Sequence, residues 1–169
     1  QTARIEELPF PHEFVKACGV DSLMPVQQLA VEAGLLYGKD LLVVSATASG
    51  KTFIGEMAGL KNLLEKRGRV LFLVPLVALA YQKYERFSQK YGHLTDISII
   101  TGASRIQISD NRRPANRNRN AGIIVATYEG VDHLMRLGEP LLQIGTIIID
   151  EVQMLEDREH SVQRRTGLR

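Results

Sequence analysis

The chain has little of what cross-links a secreted protein or anchors a protein in a membrane. Its 169 residues include one cysteine, Cys18, which has no partner for an internal disulfide and indicates a reducing compartment. The longest stretch without a charged residue runs for thirteen residues, from Val70 to Gln82. A bilayer-spanning helix needs roughly 20 apolar residues. Residues 1–7 also lack the apolar run of a secretory signal. We therefore expect a cytoplasmic protein without a membrane segment.

A strong net charge and internal repeats are absent as well. Lysine and arginine number 21 against 19 acidic residues, a formal net charge of +2, so the overall charge does not by itself indicate a nucleic-acid partner. Hydrophobic residues make up 44% and charged residues 24%, as in ordinary globular domains. A chain of this length buries roughly 70% of its unfolded surface. We predict one domain over residues 1–169.

Short apolar runs alternate along the chain with segments of helical periodicity. Strands that are apolar on both faces and are separated by helices predict an α/β fold with a mostly parallel sheet covered by helices on both faces. The predicted strands are residues 41–45, 70–74, 97–100, 123–126 and 147–149, and the predicted helices are 11–18, 25–37, 51–66, 76–91 and 128–137.

Two segments do not fit this alternation. Residues 155–169 carry few large apolar residues and form a weakly specified tail. Residues 104–120 form a basic loop with five arginines and one aspartate, and two interpretations of it stay open. The loop is either a solvated insertion or an arm that follows a phosphate backbone, since arginines that neutralise phosphates give sequence-independent affinity. In the second case Arg112 and Arg113 contact nucleic acid.

The octapeptide SATASGKT, residues 45–52, lies between a predicted strand and a predicted helix. Binding of a phosphate chain needs backbone N–H groups at a helix N-terminus, a lysine near the β- and γ-phosphates, and a hydroxyl for Mg²⁺. Gly50, Lys51 and Thr52 provide the end of that pattern, and we expect Ala48 and Ser49 to share in binding. Ser45 stands where the usual pattern has its first glycine, so an ordinary strand-to-helix turn is the alternative.

A pair of carboxylates, Asp150 and Glu151, follows the last predicted strand, 99 residues after Lys51. Such a pair can be a solvated strand end, but at the carboxyl end of a parallel strand it would meet a nucleotide. Together the two motifs predict an ATP site in which Lys51 holds the β- and γ-phosphates, Thr52 and Asp150 hold Mg²⁺, and Glu151 orients the attacking water.

Six segments, in order, resemble the first RecA-like domain of a superfamily 2 helicase of the DExH type, most closely the archaeal repair helicases and their superkiller-type relatives. They are LMPVQ (23–27), SATASGKT (45–52), VPLVALAYQKYERF (74–87), TG (101–102), IVATYEGVDHLMR (124–136) and IIIDEVQ (147–153). The resemblance implies a P-loop NTPase fold. It also implies that ATP hydrolysis drives movement along single-stranded nucleic acid, DNA more than RNA, once a second RecA-like domain is joined.

The resemblance also assigns roles to individual residues. Gln27 would read the adenine edge, as its amide chemistry allows, although an exposed helical glutamine is the alternative. Gln153 would couple nucleotide state to the rest of the motor. The residues expected to line the nucleic-acid strand are Pro75, Leu76, Thr101, Gly102 and Thr127.

Three positions depart from that family's pattern. Val77 and Gly130 stand where basic residues are usual, and Gln153 replaces the histidine of the DExH sequence. A glutamine keeps a donor and an acceptor but cannot change its protonation. We expect the isolated chain to hydrolyse ATP very slowly, because the arginine fingers of a second domain are missing. The alternatives are a nucleotide-sensing module with negligible turnover and a P-loop ATPase that acts on duplex or protein.

Overall fold

The computed structural model describes residues 2–45, 50–102 and 118–152. Its strands are β1 Arg69–Val74, β2 Ile97–Ile100, β3 Ile123–Thr127 and β4 Ile144–Ile149. Its α-helices are α1 His12–Cys18, α2 Pro25–Glu32, α3 Lys51–Leu64, α4 Val77–Tyr91 and α5 Tyr128–Arg136, with short 3₁₀-helices at Ile5–Glu7 and Leu35–Tyr37. Among the helices of these ranges, none is both long and apolar enough to cross a bilayer.

The four strands form one parallel sheet in the order β2-β3-β1-β4. Phe72 at the middle of β1 lies opposite Val125 of β3 and Ile148 of β4. Because all strands run the same way, their carboxyl ends meet along one border, which we call the carboxyl edge. The predicted α/β fold with a parallel sheet, of the RecA-like kind, is confirmed.

Side chains alternate between the two faces of the sheet and form two cores. The larger core contains Phe14 of α1, Met57 of α3 and Tyr91 of α4 against one face. The smaller core has Leu71, Ile124 and Ala126 on the other face, with Val131 of α5 packed against it. Helices therefore cover both faces, as the strands that are buried on both sides require.

A buried ionic cluster joins α3 to α4. Glu56 of α3 is 2% exposed, and its Oε1 accepts hydrogen bonds from the Tyr91 hydroxyl at 2.7 Å and from Lys90 Nζ at 2.8 Å. The Lys90 ammonium also lies over the ring of Phe53, 5.1 Å from its centroid. Burial and the neighbouring Glu56 carboxylate raise the pKa of Tyr91, so it stays a donor. The cluster fixes the spacing of two helices that begin at the carboxyl edge.

The strand predicted at residues 41–45 is not formed. Its backbone pairs with none of the described strands, and Leu42 and Val44 are 84% and 86% exposed. A strand is stable only when a neighbouring strand completes its hydrogen bonds, and β4, at the border of the described sheet, pairs with β1 alone. The prediction was therefore wrong for the structure of this chain. The apolar composition of residues 41–45 led to the strand prediction, but composition does not determine whether a neighbouring strand is available for pairing.

The helix predicted over residues 25–37 is divided into two pieces. The α-helix ends at Glu32, and a separate 3₁₀-turn follows from Leu35 to Tyr37. Gly34 between them has a φ of 103°, which no continuous right-handed helix can include.

Candidate active site at the carboxyl edge of the sheet

Each strand is followed at the carboxyl edge by residues that the sequence motifs had marked. Because the strands are parallel, these segments lie side by side in the order of the sheet. From one border to the other they are Thr101 and Gly102 after β2, Thr127 at the end of β3, Pro75 and Leu76 after β1, and Asp150 and Glu151 after β4.

Gly50 and Gln27 meet where α3 begins. Gln27 is 3% exposed; its Nε2 donates to the carbonyl of Gly50 at 3.1 Å, and its Oε1 accepts from the N–H of Met24 at 2.8 Å. The alternative of an exposed helical glutamine is therefore wrong. An amide offers two N–H groups and two lone pairs, so these bonds use half of its capacity. Contact with an adenine edge would use the second N–H group and the second lone pair of this amide.

Gly50 itself has a conformation that favours glycine. Its φ is 80°, and a Cβ at this position would lie 2.4 Å from Gln27 Nε2 and 2.8 Å from Met24 Sδ. The close approach of α2 to the start of α3 therefore depends on the missing side chain.

Lys51 spans the two ends of the predicted phosphate loop. Its Nζ donates to the backbone carbonyl of Ser45 at 2.6 Å. Residues 46–49, among them Ala48 and Ser49, lie outside the described residues, so their predicted part in binding stays a prediction. The contact brings the ammonium back to the start of the loop that it is predicted to serve.

Thr52 and Asp150 converge on one ammonium group. Lys83 of α4 donates to Thr52 Oγ1 at 3.3 Å, and its Nζ lies 3.8 Å from Asp150 Oδ2. The side chains of Lys83 and Asp150 are 15% and 19% exposed. A hydroxyl and a carboxylate are the hard oxygen donors that Mg²⁺ takes in nucleotide sites. The residues predicted to hold Mg²⁺ thus form a donor set that fits this ion.

Asp150 is fixed by three further hydrogen bonds. Its N–H donates to the carbonyl of Leu73 at 2.9 Å, its carbonyl accepts from the Tyr128 hydroxyl at 2.7 Å, and its Oδ1 accepts from the N–H of Glu151 at 3.0 Å. Glu151 is exposed and has a φ of 56°, in the left-handed region that costs a non-glycine residue energy. Such strain is found at functional sites, where the surroundings hold the residue in place.

Tyr128 links the neighbourhood of Asp150 to the start of α5. Burial, followed by the nearby carboxylates of Asp150 and Glu151, raises the pKa of this phenol. Its hydroxyl therefore stays protonated and continues to donate to the Asp150 carbonyl across the neutral pH range. The contact joins β4 to the segment after β3.

The segments after β2 and β3 are packed against each other. Gly102 lies against the side chain of Glu129, and a Cβ at Gly130 would lie 2.8 Å from the carbonyl of Ile100. The Thr127 hydroxyl accepts from the N–H of Gly130 at 3.0 Å and caps α5, and Thr127 is 2% exposed. Gly130, which the family resemblance marks as a lost basic residue, thus permits a close contact between α5 and the end of β2.

The predicted nucleic-acid residues differ in what they present to solvent. Leu76 is 39% exposed at the N-terminus of α4, whereas Pro75 is buried beside it. Arg112, Arg113 and Gln153 lie outside the described residues. The end of the basic loop is described, and Arg119 there pairs with Glu139 while its carbonyl accepts from Arg69 Nη1 at 2.6 Å. Arg69 begins β1, so this end of the loop lies at the amino edge, opposite the carboxyl edge.

Comparison with known proteins assigns the family. A family model described as DEAD/DEAH box helicase matches residues 24–169. The chain belongs to this family. It is 47% identical over 169 residues to a probable ATP-dependent helicase of Methanocaldococcus jannaschii, covering 98% of the chain and 20% of the relative. It is 37% identical over 160 residues to the ATP-dependent DNA helicase Hel308 of Caldivirga maquilingensis, covering 92% and 20%.

A Hel308 of Pyrobaculum calidifontis is 38% identical over 157 residues, covering 90% of the chain and 21% of the relative. The chain thus spans about a fifth of the length of the curated relatives it matches.

Two residues of this DEAD/DEAH box domain were missed by the sequence reasoning. Lys83 lies in the segment 74–87 that resembled a helicase motif, but nothing in its spacing indicated contact with Thr52 and Asp150. Tyr128 directly follows Thr127, and its position at the start of a helix gave no sign that it reaches Asp150. Both contacts cross between elements far apart in sequence, which periodicity does not detect.

Proposed function

We propose that this DEAD/DEAH box domain binds ATP with Mg²⁺ and hydrolyses it as the nucleotide-binding half of a helicase motor. The observation that carries the proposal is the convergence of Thr52 and Asp150, 98 residues apart in sequence, on the Lys83 ammonium. If Thr52 lay in an ordinary strand-to-helix turn and Asp150 at a solvated strand end, nothing would require their side chains to lie close together. A site for phosphates and a metal does require it.

Each residue has a role that its surroundings support. Lys51 is proposed to hold the β- and γ-phosphates, with the N-terminus of α3 directed at them. Thr52 and Asp150 hold Mg²⁺, which when bound neutralises charge on the phosphates. Glu151, exposed beside Asp150, orients and polarises the water that attacks the γ-phosphate. Gln27 contacts the adenine edge with the part of its amide that Met24 and Gly50 leave available.

The nucleic-acid partner is proposed to be a single strand, and DNA is favoured because Hel308 relatives are named DNA helicases. The nucleic-acid strand would follow the carboxyl edge across β2, β3 and β1, and β4, which carries the carboxylates, lies next to β1 at the border of the described sheet. Leu76, Thr101 and Gly102 would contact it. Thr127 is proposed to act by shaping the turn there, because its own hydroxyl oxygen caps α5.

A complete motor in this proposal needs a second RecA-like domain, which would supply arginine fingers to the nucleotide. Such a finger contributes about 10³ to 10⁵ in rate, so residues 1–169 alone should turn over slowly. We propose a single domain over this chain, with Gln153 coupling nucleotide state to the second domain. A cytoplasmic setting is supported by Cys18, a free thiol that is 2% exposed.

ATP hydrolysis by the full-length protein, with and without single-stranded DNA and RNA, tests the proposal. Stimulation by a single strand, and its loss in Glu151→Gln with ATP binding retained, is the expected result, because the amide cannot accept a proton from water. Binding of ATP without turnover under any condition would favour a nucleotide-sensing module. Stimulation only by duplex or by protein would replace the strand-translocation proposal.

A further inference from the structure

We propose that Lys83 is a built-in counter-cation that stands in for Mg²⁺ in the nucleotide-free protein and gives way when the metal binds. The inference rests on the proposed ATP site and adds a residue that regulates its metal dependence. Its basis is the position of one ammonium group, 3.3 Å from Thr52 Oγ1 and 3.8 Å from Asp150 Oδ2, the two groups proposed to hold the metal.

The position of Lys83 is determined by the fold. Its side chain is 15% exposed, and its ammonium lies 5.9 Å from the ring centroid of Phe72, at the buried centre of β1. The Glu56 cluster, about two turns further along α4 at Lys90 and Tyr91, fixes the helix that carries it. Lys83 is therefore held next to Thr52 and Asp150 by the packing of α4, in contrast to a solvent-exposed lysine that reaches these residues only transiently.

Electrostatics explains why such a cation is useful and why it must move. Asp150 is 19% exposed, and a carboxylate with little access to water is stabilised by a nearby cation or by hydrogen-bond donors. A monovalent ammonium satisfies it in the absence of nucleotide. Once Mg²⁺ occupies the same pair of oxygens, like charges at short range repel, so the ammonium withdraws. Binding of Mg²⁺ thus includes the cost of separating Lys83 from Asp150.

The consequence is a lowered metal dependence of nucleotide binding. In the wild type, Lys83 supplies part of the cationic charge at the ATP site when Mg²⁺ is absent. When Mg²⁺ is present, Lys83 competes with the metal for Thr52 and Asp150. The ratio of the ATP dissociation constant in EDTA to that in excess Mg²⁺ is therefore small. In Lys83→Met, which keeps a long apolar side chain but no charge, we expect this ratio to rise about fivefold. That change corresponds to the roughly 1 kcal/mol of a partly exposed ion pair.

The test measures both dissociation constants by calorimetry with ATP, for the full-length wild type, Lys83→Met and Arg86→Met. Arg86 is the matched control, since it lies one turn further along α4 and its guanidinium is 3.9 Å from Glu56 instead of Asp150. The expected result is a raised ratio in Lys83→Met alone. Thermal denaturation without metal or nucleotide should also show a lower midpoint for Lys83→Met, and the deficit should narrow with Mg²⁺ and ATP.

Two outcomes overturn the inference while leaving the ATP site intact. If both dissociation constants of Lys83→Met rise by the same factor, the lysine is a permanent nucleotide ligand. If neither changes, it takes no part in the site. In each case the ratio stays at the wild-type value. Failure of wild type to bind ATP in either buffer would instead refute the proposed function, and with it the exchange of Lys83 for the metal.

Discussion

Replacing Gly50 by alanine tests the contact between α2 and the start of α3, on which the predicted phosphate loop depends. The new Cβ would lie 2.4 Å from Gln27 Nε2, far inside van der Waals contact. The end of a glutamine side chain is flexible, so we expect Gln27 to move aside and give up its hydrogen bond to the Gly50 carbonyl. The φ of 80° must still be adopted by a residue with a side chain.

The expected cost is the sum of those two effects. A left-handed conformation costs a non-glycine residue about 1 kcal/mol, and loss of one hydrogen bond costs about 1 kcal/mol. The free energy of unfolding of Gly50→Ala should therefore fall by about 2 kcal/mol. For a domain of this size that lowers the melting temperature by about 4–8 °C.

The assay is urea denaturation of four proteins: wild type, Gly50→Ala, Gln27→Ala and the double variant. Without the glutamine amide only the conformational strain remains, so the Gly50 substitution should cost about 1 kcal/mol in the Gln27→Ala background and show a coupling energy of about 1 kcal/mol. Gly138→Ala is the matched control, because Gly138 has a φ of 69° and a Cβ added there would meet nothing within 4 Å.

Equal costs for the Gly50 substitution in both backgrounds would show that displacement of the Gln27 amide contributes nothing to the loss of stability. A cost no larger than that of Gly138→Ala in the wild-type background would lead to the same conclusion.

Three further predictions concern contacts around the site. Tyr128→Phe should lower the free energy of unfolding by about 1 kcal/mol, because the hydrogen bond to the Asp150 carbonyl is lost. The pKa of the Tyr128 phenol is raised from 10.0, so the stability it contributes should be complete below pH 10 and lost as the pH rises through the folded-state pKa. Denaturation measured as a function of pH would show this loss. Lys90→Met should cost about 3 kcal/mol by removing the cation that is hydrogen-bonded to the buried Glu56 carboxylate, since the Arg86 guanidinium, 3.9 Å away, compensates less, and Lys90→Arg should recover part of that loss. Gly130→Ala should cost about 1–3 kcal/mol in thermal denaturation by forcing α5 away from the end of β2.

Each of these has an outcome that contradicts it. A deficit of Tyr128→Phe that is unchanged up to high pH would remove the ionisation argument. A Lys90→Met protein as stable as wild type would show that Glu56 does not depend on this cation. An undisturbed Gly130→Ala would show that the close approach of α5 to β2 is not needed for stability.

Local patterns in the sequence predicted most of the fold. The apolar runs at β1, β2, β3 and β4 are buried on both faces of the sheet or on one face, so their apolar composition was enough to predict that they form buried strands. Residues 41–45 have the same composition but form no strand, because strand formation also depends on a neighbour elsewhere in the chain. Composition reports burial preference, and pairing is a property of the whole sheet.

The site was predicted where a motif is contiguous and missed where contacts are long-range. Gly50, Lys51 and Thr52 form one motif, and Asp150 follows a strand whose direction fixes its edge. The sequence did not indicate a role for Lys83, because its contacts with Thr52 and Asp150 form only when α4 packs beside α3 and β4. Gln27 was expected either to contact the adenine or to be an exposed helical residue, but its amide is buried and holds α2 against Gly50.

Calorimetric titration of ATP, with Mg²⁺ in excess, into wild type, Lys51→Ala and Glu151→Gln determines whether Lys51 and the carboxylate pair form an ATP site. An ATP site built on Lys51 and the carboxylate pair predicts that wild type and Glu151→Gln bind with similar affinity. It predicts that Lys51→Ala does not bind detectably, because the phosphate charge is left without its cation. Equal ATP affinity for wild type and Lys51→Ala would show that Lys51 does not hold the phosphates of ATP.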